Sequence, residues 1–404
     1  MTEGNDRVPR RLRRIYALED FELAARRHLP APVFGYVAGA SETGAAMEDN
    51  RAAFGEIRFV PRAGVDISAR RLGCRVMGLD YDLPFGIAPM GVCALSAYRG
   101  DLAMARAAGA ARIPMVVSGA SLIPVEDIAA ENADVWYQAY LPAGVDEITA
   151  LLDRVARTGI ETLVVTVDSA VGPIHENYLR AGYRTPIRPS AALLWQGITH
   201  PRWALGTFLR TIARHGTPHF ENLKATRGAP VLSRTARRDF SGREGLDWAM
   251  LAQVRRIWKG RLVIKGILHP DDVARSQALG ADGVILSNHG GRQLDGAVSS
   301  MRVLSAALNA APGLPVMIDG GVLRGTDILK ALALGASFVF VGRPMNYAAS
   351  IAGEAGLTHA IGLLRSQLHA DLGMLGLLNL GELDRTILDC TGFNDVLPDI
   401  LSGS

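Results

Sequence analysis

Two stretches decide the fold: ALGADGVILSNHGG (278–291) and ALGASFVFVGRP (333–344). Each ends an Ala-rich helical segment on a glycine, runs through a short apolar strand and stops at a glycine-rich turn. Strands apolar on both faces are what a parallel sheet covered by helices requires. Working outward, LVIKGIL (262–268) precedes a helix opening at His269-Pro270-Asp271-Asp272, and LPVMIDGG (314–321) precedes the helical TDILKALALG (326–335). The first half repeats the pattern at LPFGIAPMG (83–91), IPMVVSGA (113–120), VWYQAYL (135–141) and ETLVVTVDS (161–169). Eight strand–helix units are the number that closes a (β/α)8 TIM barrel. A doubly wound open sheet is the alternative, but it does not need a polar residue at the C-terminal end of nearly every strand. The reading is one α/β barrel domain over 1–404, with an N-terminal helical segment and a long basic insertion after the fourth strand.

Composition agrees. The 404 residues are 49% hydrophobic and 21% charged, as in ordinary globular proteins. A net charge of +3 gives no reason to expect nucleic acid. Cys74, Cys93 and Cys390 are odd in number, far apart and lack metal-ligand spacing, which argues against a disulfide framework and for a reducing compartment, and no metal is expected. The N-terminal basic residues are followed by no apolar run, and no stretch of 18 apolar residues occurs. A cytoplasmic protein is expected.

The strand ends hold the chemistry-bearing residues: Pro89-Met90-Gly91, Ser118, Gln138, Tyr140, Thr166, Asp168, Lys265, Ser287-Asn288-His289, Asp319-Gly320-Gly321 and Gly342-Arg343. In a barrel these ends converge on one mouth. The glycine-rich turns at Gly321 and Gly342, with Arg343, suit an anion at the seventh and eighth strands. Lys265 on an apolar strand needs a negative partner. Asp319 or Asp168 could form a salt bridge with it, and its cation could also face an electron-rich cofactor ring. In SNHGGRQLDG (287–296), His289 can take a proton near neutral pH and Arg292 can clamp a carboxylate. Asp168 is either the partner of His289 or a helix cap.

SNHGGRQLDG, together with Lys265 in LVIKG, VDS (167–169), QAY (138–140) and IDGG (318–321), resembles the FMN-dependent 2-hydroxy acid oxidases and dehydrogenases. That family includes glycolate oxidase, L-lactate dehydrogenase and (S)-mandelate dehydrogenase, and the resemblance runs from about residue 15 to 390. It implies His289 as base with Asp168 as its partner, Arg292 on the substrate carboxylate, and Tyr36 and Tyr140 on the carboxylate or hydroxyl. It further implies FMN held by Pro89, Met90, Gly91, Ser118, Gln138, Thr166, Lys265 and Ser287 at the ring. Asp319, Gly321, Gly342 and Arg343 would hold the phosphate end. The implied electron acceptor is a quinone or oxygen, and relatives are often homotetramers.

Three departures stand out. Relatives usually carry an Arg seven residues after the barrel Asp, where this chain has His175, so a second carboxylate contact changes character. Relatives also place an Arg where this chain has Leu323, so a flavin cation is missing or shifted to Arg324. Ala120 and Gly172 replace bulkier residues of glycolate oxidase, which predicts room for a bulky or aromatic substrate side chain, and Gly91 leans towards a dehydrogenase. His175 also motivates a rival reading: oxidation of a hydroxyl or amine beside a carbonyl in a larger biosynthetic intermediate. A flavin- or lipid-binding scaffold without turnover is the non-enzymatic rival, opposed by the intact His289, Arg292, Lys265 and Asp168.

Between Asp168 and Lys265 lie 96 residues, far more than a strand–helix loop needs. Residues 180–245 hold twelve Lys/Arg against three Asp/Glu, a local net of +9. Trp195, Trp203, Leu205, Phe208, Leu209 and Ile212 alternate there with Arg202, Arg210 and Arg214. This mixture suits an anionic membrane surface, on the inner face of the cell membrane, or else a lid or subunit interface.

Overall fold

The computed structural model describes residues 9–183, 191–231 and 243–395. Eight parallel strands form its centre: β1 (Phe85–Ile87), β2 (Val116–Ser118), β3 (Trp136–Ala139), β4 (Thr162–Thr166), β5 (Arg261–Ile267), β6 (Gly283–Leu286), β7 (Val316–Asp319) and β8 (Phe338–Val341). The ladder runs in order from β2 through β8 to β1, and a parallel bridge between Ile87 and Met115 joins β1 back to the β2 side. The expected (β/α)8 barrel is therefore closed. Each strand is followed by a helix on the outside, including Gly100–Ala111, Trp248–Ile257, Gly325–Ala333 and Arg343–Met374.

Two apolar layers hold the barrel together. Val116, Trp136, Val164, Val263, Ile285, Met317, Phe338 and Phe340 fill the interior, so it is a packed core and not a pore. A hairpin of Cys74–Val76 and Leu79–Tyr81 closes its base, where Tyr81 meets Phe338 and accepts the Trp136 indole N–H at 3.2 Å. The other strand face packs against the helices in the larger core.

Two features shape the mouth. The N-terminal segment supplies helices Leu18–His28, Ala31–Ala38 and Ala45–Gly55, the last lying against the β6 and β7 loops. The insertion after β4 contains helices Glu176–Arg180 and Ala191–Thr199 and an irregular helical run over 201–215. It is anchored beside the barrel by its own polar groups: Asn222 bonds the backbone of Ile123 and Val125, and Trp203 donates to the Leu95 carbonyl at 2.7 Å.

Candidate active site

The catalytic geometry starts from a bulge. β5 is irregular between Lys265 and Ile267, and bulges beside functional sites re-aim a side chain. Gly266 sits there at φ +98°, where an added Cβ would lie 2.5 Å from the Asp168 carboxyl carbon. Only glycine lets Asp168 stand that close to β5. Asp168 Oδ1 accepts the Nδ1–H of His289 at 2.9 Å. A carboxylate can only accept, so the proton is on Nδ1 and the lone pair of a neutral His289 is on Nε2. Tyr140 places its hydroxyl 3.4 Å from that Nε2. His289 itself adopts φ +58°, a left-handed conformation unusual for a non-glycine residue, and its backbone N–H is pinned to Ser287 Oγ at 2.9 Å.

Burial opposes the charge of Asp168, but its pairing and hydrogen bond with His289, the nearby charge of Lys265 and the Ser169 hydroxyl hold its carboxyl below the usual range. Burial likewise opposes the charge of Lys265, and the Asp319 and Asp168 carboxylates outweigh it, leaving the ammonium pKa raised. Lys265 is 2% exposed, pairs with Asp319 at 3.0 Å and donates to Ser287 Oγ at 2.8 Å. Of the two partners expected, Asp319 makes the salt bridge, while Asp168 acts through its charge.

These groups open on a cavity of about 400 Å³. Tyr36, Pro89, Met90, Gly91, Tyr140, His175, Lys265 and His289 line it, as do Arg292, Asp319, Gly321, Gly342 and Arg343. Ser118, Gln138, Thr166 and Ser287 are buried at the ends of β2, β3, β4 and β6. Arg343 donates to the carbonyls of Gly39 and Gly290, and burial beside the like charge of Arg292 pushes its pKa down to about 10. Among the described residues, Gln138 Nε2, Thr166 Oγ1, Asp319 Oδ1 and Arg343 Nε are buried with no hydrogen-bond partner. Such groups are costly unless a ligand satisfies them.

Arg324 is the expectation that fails. It caps helix Gly325–Ala333, pairs with Glu19 at 2.9 Å and does not line the cavity. As the extended N-cap residue it turns towards the N-terminal helix, so the shift of one residue from Leu323 does not restore a cation. The cation beside that turn is Arg51, which donates to the Gly321 carbonyl at 2.8 Å and to Asp327 at 2.6 Å and lines the cavity. The sequence reading passed over Arg51 and Asn50. The signal was Asn50 on the buried face of its helix with Ala46, Ala53 and Phe54. Asn50 exchanges two hydrogen bonds with Asn288, at 2.7 and 2.9 Å, and its carbonyl would stand 2.1 Å from a Cβ at Gly321. Arg243, Phe220 and Leu223 of the insertion also line the cavity unforeseen. Arg180, the arginine five residues after His175, pairs with Glu176 and does not line the cavity. Gly172 is exposed and is not part of the cavity wall, whereas Ala120 is.

Comparison with known proteins gives this arrangement its family. Residues 25–390 match the FMN-dependent dehydrogenases. The chain belongs to that family. It is 36% identical to the (S)-mandelate dehydrogenase of Pseudomonas putida over 385 residues, covering 95% of this chain and 96% of that protein. It is 34% identical to the L-lactate dehydrogenase of Ectopseudomonas mendocina over 383 residues, covering 93% and 98%. A crystal structure of (S)-mandelate dehydrogenase described as a monotopic membrane protein superposes with a TM-score of 0.84 at 34% identity, covering 93% and 99%. The protein is thus an FMN-dependent oxidoreductase acting on 2-hydroxy acids. The buried, unpartnered donors at the ends of β3, β4 and β8 fit a flavin nucleotide, which offers ring heteroatoms and a phosphate as acceptors.

Proposed function

We propose that the chain oxidises a 2-hydroxy acid with a bulky or aromatic side chain to the 2-oxo acid, using His289 as the base. The observation that carries this is the 2.9 Å Asp168–His289 bond beside the cavity, with the His289 Nε2 lone pair next to Tyr140. Bound FMN would accept the two electrons that leave the substrate. Nε2 takes a proton from the substrate, and the Asp168 carboxylate stabilises the imidazolium that results. Lys265, with Asp319 behind it, provides fixed positive charge at the cavity floor. Pro89, Met90 and Gly91, with Ser118, Gln138, Thr166 and Ser287, would hold the ring. Asp319, Gly321, Gly342 and Arg343 would hold the phosphate end, with Arg51 beside them. Tyr36, Tyr140, His175 and Arg292 would surround the substrate. Ala120 and the apolar Phe220 and Leu223 leave the space for a large side chain.

The same proposal places the protein peripherally on a membrane. No helix among the described residues is long and apolar enough to cross one. Leu194, Trp195, Ile198, Leu205 and Leu209 of the insertion are exposed, and Arg202, Arg210 and Arg214 are exposed beside them. This is the composition of an interfacial surface. Trp203 and Phe208 do not belong to it, since they stack on each other and Trp203 is buried. A quinone in such a membrane is the acceptor favoured by this placement.

The test is anaerobic mixing of the purified yellow protein with (S)-mandelate, L-lactate and long-chain 2-hydroxy acids. Bleaching fastest with (S)-mandelate is expected. Bleaching by none would overturn the reading in favour of a larger, non-acid substrate.

A further inference from the structure

The substrate side of the cavity poses a problem that the expected residues do not solve. Arg292 directs one terminal nitrogen to the carbonyls of Val37 and Gly39, at 3.0 and 3.1 Å. It directs the other to the Tyr36 carbonyl at 2.8 Å and to the Tyr178 hydroxyl. Both terminal nitrogens are therefore engaged at the C-terminal end of helix Ala31–Ala38, and a two-pronged grip on a carboxylate would have to break these bonds. His175 offers less. Its Nδ1 faces the Ala40 carbonyl at 3.1 Å, and a carbonyl only accepts, so the proton of a neutral ring is on Nδ1. An imidazole held in this way does not replace the fixed, two-pronged cation of an arginine.

A third cation stands at the same cavity. Arg243, at the end of the insertion, lines the wall and lies over the Tyr140 ring with its guanidinium carbon 4.4 Å from the ring centroid. Stacking fixes the plane of a guanidinium through its face, while a carboxylate is bound through its edge, so the two contacts are compatible. The Tyr140 hydroxyl lies 3.4 Å from Nε2 of the His289 base. A carboxylate held along the Arg243–Tyr140 pair is thereby presented beside the atom that takes the proton.

We propose that Arg243 is the second carboxylate-binding cation of this enzyme, delivered by the insertion and replacing the arginine that His175 displaces. The inference rests on the 2-hydroxy acid reading. It gives the insertion a role in substrate selection separate from membrane contact.

The experiment compares (S)-mandelate with its methyl ester, which has the same side chain without the charge, by anaerobic flavin reduction over a range of concentrations. Arg243→Ala is expected to lower the preference for acid over ester by about 10- to 100-fold, the weight of one charge-assisted hydrogen-bonded contact. The loss should be in the half-saturating concentration more than in the limiting rate, and Arg243→Lys should restore part of it. Adding His175→Arg to Arg243→Ala should restore acid preference. If wild type bleaches with the acid and Arg243→Ala keeps the wild-type preference, Arg243 is not the cation and the proposal is overturned while the functional reading stands. If wild type bleaches with no 2-hydroxy acid, the reading itself falls and the proposal falls with it.

Discussion

The two sides of the cavity are built by different means. On the side assigned to the cofactor, the polar groups sit on or directly after barrel strands and are locked to one another. Lys265 is bonded to Asp319 and Ser287, Ser287 also holds the His289 backbone, and Gly266 admits Asp168. On the side assigned to the substrate, Tyr36, His175, Tyr178, Arg243 and Arg292 come from loops and short helices far apart in sequence. They are held by backbone carbonyls and ring contacts. The first side can be conserved in geometry while the second is rebuilt. A family that keeps one redox reaction and changes its substrate would need that division.

This contrast makes graded predictions. The largest effect is expected at the strand-borne network. Lys265→Met leaves Asp319 buried without its cation, and breaking a buried pair from one side costs about 3–5 kcal/mol. Chemical denaturation should show that loss together with weaker FMN retention, and a stable, fully yellow variant would refute the view that this side is interlocked. Next comes Asp168→Asn, which keeps the shape but not the charge. Loss of one charge-assisted hydrogen bond, about 1.5–3 kcal/mol, predicts flavin reduction slowed roughly 10- to 100-fold by stopped flow, with FMN still bound. The loop-borne side should respond more mildly. Replacing exposed Trp195 and Leu205 with Asp removes apolar area from the insertion surface and should abolish sedimentation with anionic vesicles at low salt. The rate of flavin reduction by the soluble acid should stay within a few-fold of wild type. Failure of wild type to bind such vesicles at low salt would remove the membrane placement.

The smallest effect concerns pH. His28, at the end of helix Leu18–His28, is held down to about 4 from an ordinary 6.5 by burial first, then by Arg11, Arg202 and His200. Its folded value lies below its unfolded one, so the unfolded chain binds the extra proton between pH 6.5 and 4. Stability from this group is fully present above that window and is lost as pH falls through it. The side chain is partly exposed, so the effect is discounted to the order of 1 kcal/mol. His28→Gln should flatten the fall in melting temperature over that window and leave neutral pH unchanged.

What could be read from the sequence follows the same division. Each strand fixes where its end points, so the alternation of apolar runs and glycine turns located the barrel. The polar residues at those ends, from Gln138 to Arg343, could be assigned to one mouth. Loop residues have no such rule. Arg243 reaches the cavity, and Tyr178 reaches Arg292, through tertiary packing that no local pattern encodes, and Trp203 and Phe208 read as surface residues until Leu95 and the stacking contact turned them inward. Arg324 misled because a one-residue shift at a helix start rotates a side chain away from its neighbour's direction.

The most direct test of the central claim is His289→Asn, mixed anaerobically with the best 2-hydroxy acid. The account predicts a yellow protein with near wild-type affinity for FMN whose flavin bleaches about 100- to 10,000-fold more slowly. Bleaching at the wild-type rate would show that the proton goes elsewhere and that the Asp168–His289 pair is not the base.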